Sequence, residues 1–103
     1  MRIGQVIGHA TLSKCHPSLI GSRWLLTVPC QLGNNGTLRK DAEEVVVFDE
    51  LGANVGALIG FCEGPEASAP FLPAKKPLDA YCSCLIDQLA IINDEPGNQK
   101  SFK

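Results

Sequence analysis

Between Phe48 and Gly64 the chain reads FDELGANVGALIGFCEG, two short apolar runs held apart by a segment with glycines at positions 52 and 56. Glycine reaches positive φ without a steric penalty, so Asp49, Gly52 and Gly56 punctuate the apolar pattern as a tight loop between two strands does. The chain around this block consists of further short apolar runs separated by Gly, Pro and Asn, with no low-complexity stretch and no internal repeat.

Read in order, Arg2 to Ser13 places Gly4, Gly8 and Ala10 in one phase and Ile3, Gln5 and Ile7 in the other, the pattern of a strand that passes close to another backbone. His16 to Ser22 holds Pro17 and Gly21 and reads as a loop. Arg23 to Gln31 is a strand in which Pro29, unable to donate to a ladder, requires an edge or a bulge. Asn35-Gly36 marks a hairpin turn over Leu32 to Gly36. Thr37 to Glu44 is polar and weakly specified, whereas Val45 to Phe48 is β-branched and expected as a buried strand. Ala57 to Cys62 makes another. Four prolines between Glu63 and Pro77 leave room for one helical turn near Glu66 to Ala69. Leu78, Tyr81, Cys82, Leu85, Leu89 and Ile92 follow helical spacing, but Tyr, Cys and Ile dominate the first half of Tyr81 to Ile92, which favours one long strand. Asn93 to Lys103 is polar and aperiodic, an exposed end or a short contact arm. Five or six short strands separated by turns imply an all-β domain, a small Greek-key barrel of the OB type, whose closure removes exposed sheet edges.

The 103 residues suffice for one domain, and a 45% hydrophobic content suffices for its core. Only 19% are charged, below the roughly 25% of an average soluble domain, as expected of a compact β protein with part of its surface covered by partners. A net charge of −2 argues against a nucleic-acid partner, which Lys and Arg must neutralise. No apolar run reaches the length of a membrane span and the N-terminus lacks a signal-peptide pattern, so a cytoplasmic protein is expected. The five cysteines, an odd set without a C-x-x-C pair, read as small buried hydrophobes, with Cys82 and Cys84 on one strand face.

No catalytic constellation, metal site or cofactor site emerges. Cys15 and His16 are neighbours that an extended chain points to opposite faces, and no carboxylate orients them. His9 reads as a surface or interface residue. Asp49, Glu50, Asp79 and Asp87 lie at strand ends, where Asp commonly caps turns. Trp24 reads as a packing or interface anchor.

Three segments carry a family resemblance: Gly4 to Val28 with Val6, Gly8, Pro17, Leu19, Gly21 and Leu25-Leu26; Asp49-x-x-Gly52-Ala53-x-x-Gly56 followed by Gly64 and Ala67; and Pro77-x-Asp79-Ala80 with Ile86-Asp87. Their order and spacing resemble the EutN/CcmL family of bacterial microcompartment vertex proteins over residues 1 to 92, leaving 93 to 103 as a polar tail. Asn54 stands where many relatives have a third glycine, Ala57-Leu58 where they have an acidic residue and Trp, and Gly64 to Ser68 lacks the usual arginine. The resemblance supports the strand reading of Tyr81 to Ile92. It implies a five-stranded barrel that assembles as a homopentamer with a narrow axial opening, sits at the corners of a microcompartment shell and docks against hexameric facet proteins. It further implies that Gly52, Ala53, Asn54, Val55 and Gly56, or else Gly64, Pro65, Glu66, Ala67 and Ser68, surround the opening. Trp24, Asp49, Pro77, Asp79 and Asp87 are then interface or structural residues. An OB barrel that binds single-stranded nucleic acid is the alternative, although it calls for aromatic platforms in a basic groove.

Overall fold

The computed structural model describes residues 1–32, 38–40, 43–92 and 99–102. Among these residues, eight strands and one short α-helix follow each other: β1 (Arg2–Ala10), β2 (Arg23–Leu32), β3 (Leu38–Lys40), β4 (Val45–Asp49), β5 (Leu58–Glu63), α1 (Pro65–Ser68), β6 (Ala80–Leu85), β7 (Leu89–Ile92) and β8 (Gln99–Phe102). Five of them close a barrel in the order β1-β5-β6-β4-β2, with β1 returning to pair with β2. The pairs are antiparallel except β4 with β6, which run parallel and meet at the bridge Phe48↔Tyr81. This is the OB-type Greek key. β3 adds to the far end of β2, and β7 with β8 forms a separate two-stranded sheet. No helix among the described residues is long and apolar enough to cross a membrane.

Alternation along the strands fills the barrel. Val6, Leu25, Val47, Ile59, Phe61 and Cys82 are buried in one cluster, which Ala53 and Ala80 complete. The small phase of β1 is required by close approach: a Cβ on Gly4 would run into Thr27 Cγ2 and lie 2.9 Å from Phe61 Cε1 and 3.2 Å from Val28 O. Pro29 pairs with Gly4 beyond Thr27↔Val45, the last pair of β2 with β4, so the strand has an edge where the proline needs one. The irregularity falls instead in β1, between Val6 and Gly8.

The structure departs from the sequence reading in three places. Tyr81 to Ile92 is not one strand: after Leu85 the chain leaves the barrel, with Ile86 N–H donating to Leu58 O at 2.9 Å, and a new strand begins at Leu89. The polar end contains β8, which pairs back on β7 in the register Leu89↔Phe102 to Ile92↔Gln99. Cysteines are less buried than expected: Cys82 is in the core, Cys30, Cys62 and Cys84 are half-buried, and Cys15 is exposed. The register shift opposite Gly60 and Phe61 breaks the alternation at Ser83, so Cys82 faces the core while the Cys84 sulfur lies over Gly60. The single helical turn falls over Pro65–Ser68, followed by a 3-10 turn over Ala69–Phe71. The turn expected over Leu32 to Gly36 lies, beyond Leu32, outside the described residues.

Candidate functional site

Asp49 ends β4 with its side chain buried, and its two oxygens organise the loop that follows. Oδ1 accepts from Leu51 N–H at 2.9 Å, and Oδ2 accepts from Gly52 and Ala53 N–H at 3.0 and 2.9 Å. An ionised carboxylate is a strong acceptor for backbone donors, so three bonds to one side chain set the loop's path. Gly52 and Gly56 take positive φ, 81° and 92°, which is why both positions read as glycine. Ala53 packs into the core, leaving Asn54 and Val55 exposed at the tip. Gly56 N–H then donates to Val6 O at 2.8 Å and Val6 N–H to Ala57 O at 2.9 Å, stitching the end of the loop to β1.

Arg23, the first residue of β2, reinforces this loop from outside. Its Nη2 donates to Ala53 O and to His9 Nε2, the latter at 2.7 Å, while its Nε lies 3.9 Å from Asp49 Oδ2. His9 Nε2 also lies 3.2 Å from Ala53 O; it accepts in the contact with the guanidinium and would have to donate in the contact with the carbonyl, so one tautomer serves only one of the two. Sequence reading did not join His9 and Arg23 to the loop, because the contacts bridge segments up to 44 residues apart.

The second candidate loop begins at Gly64, with φ 74°, whose N–H donates to Asp79 O at 2.9 Å. Ala67 is fully buried, and Ser68 Oγ donates to Pro65 O at 3.2 Å. The two loops flank opposite ends of β5, whose six residues span about 20 Å, so they do not form one rim within a subunit.

Trp24, buried, belongs to an aromatic cluster with Phe48 at its centre. Trp24 and Phe71 meet Phe48 edge-on at 5.2 and 5.5 Å, and Tyr81 stacks on it at 6.2 Å. Lys76 Nζ sits 4.6 Å from the Phe71 ring centre and 5.6 Å from that of Phe48, tying the proline-rich excursion to the barrel by cation–π attraction. The Tyr81 hydroxyl donates to Glu50 Oε2 at 3.1 Å; burial, with this bond and the Glu50 charge, raises its pKa. Burial, reinforced by the Asp49 charge, pushes the Cys82 thiol up to about 12. Pro77, Asp79 and Asp87 are exposed. A cleft of about 370 Å³ opens beside the start of β4, its lining including Glu43, Glu44, Glu63, Asp79 and Arg2. Arg2 Nη1 bonds Glu63 Oε1 there at 2.8 Å.

A closed OB-type barrel with preformed loops and a surface bearing exposed apolar side chains such as Ile7, Ile20, Val46 and Leu72 defines a small structural barrel module. The chain belongs to the family described as ethanolamine utilisation protein EutN/carboxysome, whose model matches residues 1–87. Among solved structures it is similar to CcmL of Gloeobacter violaceus, with 27% identity over 88% of this chain and 90% of that one and a TM-score of 0.75. It is also similar to the GrpN pentameric microcompartment shell protein of Rhodospirillum rubrum, at 25% identity, 84% and 94% coverage and a TM-score of 0.69. The ethanolamine utilization protein EutN of Escherichia coli shares the fold at 21% identity, 86% and 87% coverage and a TM-score of 0.70. No curated protein sequence matches the chain.

Proposed function

We propose that this protein is a structural building block of a bacterial microcompartment shell, a homopentamer that occupies the vertices and docks laterally against hexameric facet proteins. The observation that carries the reading is the family match over residues 1–87 in a chain whose closed barrel resembles a pentameric shell protein along 84% of its length. A flat hexagonal lattice closes into a polyhedron only when five-fold points are introduced, and a heterologous contact repeated at a closing angle produces a ring rather than a filament. On this reading the protein works within the shell, performs no catalysis and needs no cofactor, and Gly52 to Gly56 or Gly64 to Ser68 surround the axial opening. Trp24 and Phe48 are buried against their aromatic neighbours, which leaves neither as a stacking platform for nucleic-acid bases.

Native mass spectrometry supported by light scattering tests the assembly directly. A discrete species of five chains is expected, and a stable monomer at micromolar concentration overturns the proposal.

A further inference from the structure

Three neighbouring strands bring sulfur to one spot on the outside of the barrel. β1 pairs with β5 in the register Arg2↔Phe61 and Ile3↔Gly60, and continuing that register by one pair sets Met1 opposite Cys62. On the other side of β5, Gly60 is the partner of Cys84 in β6. Ile59 and Phe61 are buried in the core, so alternation turns Gly60 and Cys62 outward. Gly60 has no side chain, and the space above it is filled from both flanks. A Cβ there would lie 2.7 Å from Cys84 Sγ and 2.8 Å from Met1 Sδ, closer than real Cβ contacts come. The two sulfurs therefore occupy the place where a side chain of residue 60 would stand, and they are no farther apart than the sum of these distances.

Both sulfurs can be reached from solvent, since Met1 is 78% exposed and Cys84 is half-buried. Cys82, fully buried on the opposite face, has its Sγ 3.7 Å from Cys84 O and steadies the backbone from which Cys84 projects. Cys62 Sγ is engaged with Ser83 Oγ at 3.1 Å on the same outer face. Thioether and thiolate are soft ligands, which suit Cu(I) rather than the hard divalent ions that carboxylates hold. Among the described residues no three His, Cys, Asp or Glu side chains are grouped so as to hold a metal ion, so the sulfur pair is not part of a cage of that kind. A monovalent ion asks for less: two sulfurs ligate it, and one thiolate cancels its charge, which leaves no net charge on the half-buried strand face.

We infer that Met1 Sδ and Cys84 Sγ together bind Cu(I) across Gly60. Binding forms one bond to the thioether and one to the thiolate and sends the Cys84 thiol proton to solvent, while the copper stays Cu(I) throughout. Glycine at position 60 is what lets the two side chains meet. Both ligands belong to one chain, so the site stands apart from the pentamer reading. The sequence carries no local motif for it, because its ligands lie at the two ends of the barrel's strands and only the β1-β5-β6 pairing joins them.

Met1 is the chain's one methionine, so selenomethionine labelling places a single selenium in the molecule, on the proposed ligand. The labelled full chain is offered Cu(I) anaerobically as its bicinchoninate complex, the copper retained by the protein is counted, and X-ray absorption at the copper edge reads its neighbours. One Cu(I) per chain with selenium and sulfur at bonding distance is expected. Cys84→Ser is expected to weaken retention by at least about tenfold, the low end of what loss of even an outer partner costs a metal site. Gly60→Ala keeps both ligands but sets a methyl group between them, and is expected to remove selenium from the copper's surroundings; circular dichroism reports whether each variant has folded. Copper without a selenium neighbour, as when the exposed Cys15 holds it, would overturn the inference. So would equal retention by a folded Cys84→Ser variant, or a wild-type chain that takes no Cu(I) from bicinchoninate. Should Gly60→Ala not fold, the labelled wild type and Cys84→Ser decide between these outcomes.

Discussion

Thr27 is fully buried, and its Oγ1 is the one buried side-chain oxygen among the described residues without a hydrogen-bond partner. An unpaired hydroxyl in a dry interior is destabilising, and Val has nearly the same shape. Thr27→Val should therefore stabilise the fold by roughly 1 kcal/mol, seen as a higher denaturant midpoint with an unchanged slope. Cys82 gives a pH signature. Its pKa is raised from 9.0 to about 12, so the native state favours the neutral thiol more than the unfolded chain does. That contribution is fully present below pH 9 and is lost as the pH climbs towards 12. Urea midpoints at pH 7, 9 and 10.5 should fall at the alkaline end, and Cys82→Ala should flatten that fall even if it lowers the neutral-pH value. Tyr81, also raised, acts with the same sign above pH 10.0; burial and Glu50 are its larger causes and the Cys82 charge a smaller one, so most of its contribution survives that substitution.

Among the elements, the loop from Glu50 to Gly56 is held by side chains from β1, β2 and β4. Asp49→Asn keeps the size but loses the charge and puts a donor where Oδ2 or Oδ1 accepted, so the loop should cost about 2 kcal/mol in stability. Amide exchange at Leu51, Gly52 and Ala53 should accelerate by at least tenfold, while amides in β5 should change less. Asn54 is exposed at the tip and makes no side-chain contact that the fold needs. If the loop faces the axial opening, Asn54→Trp leaves the five-chain mass intact; disassembly would place the loop between subunits. The glycines of this loop were legible in the sequence because positive φ has a residue signature. The Asp49 cap was legible as an Asp at a strand end. The Arg23–His9 clamp had no local signal, and neither did the aromatic cluster, whose members Trp24, Phe48, Phe71 and Tyr81 are brought together by closure of the barrel. The break after Leu85 was hidden for a related reason: Ile86 and Leu89 remain apolar across it, so composition continues where the strand does not.

For the whole molecule, the all-β barrel followed from short apolar runs separated by turns, with five or six strands expected and eight found among the described residues, whereas the partition of the C-terminal third between barrel and arm depended on pairing that only the folded chain displays. If copies bind one another only when native, unfolding is linked to dissociation. The thermal midpoint should then rise with protein concentration across a hundredfold dilution series by mass action. A midpoint independent of concentration would show that each barrel carries its stability alone.

The bridge between Phe48 and Tyr81 also sets an order of events in time. Every other seam of the barrel consists of several antiparallel pairs, but this one must bring together residues 33 positions apart through one parallel contact. A seam of one bridge gains little to offset the entropy of closing its loop, whereas β1 and β5, whose partners lie 53 to 59 positions apart, gain four pairs at once. The chain is thus expected to spend its last folding step as a curled, nearly complete sheet with β4 unsatisfied along its outer side. Whether that sheet shuts before it meets another nascent copy would decide between orderly rings and tangled aggregates, so the rate of this single closure, more than the depth of the native well, governs the yield of usable protein.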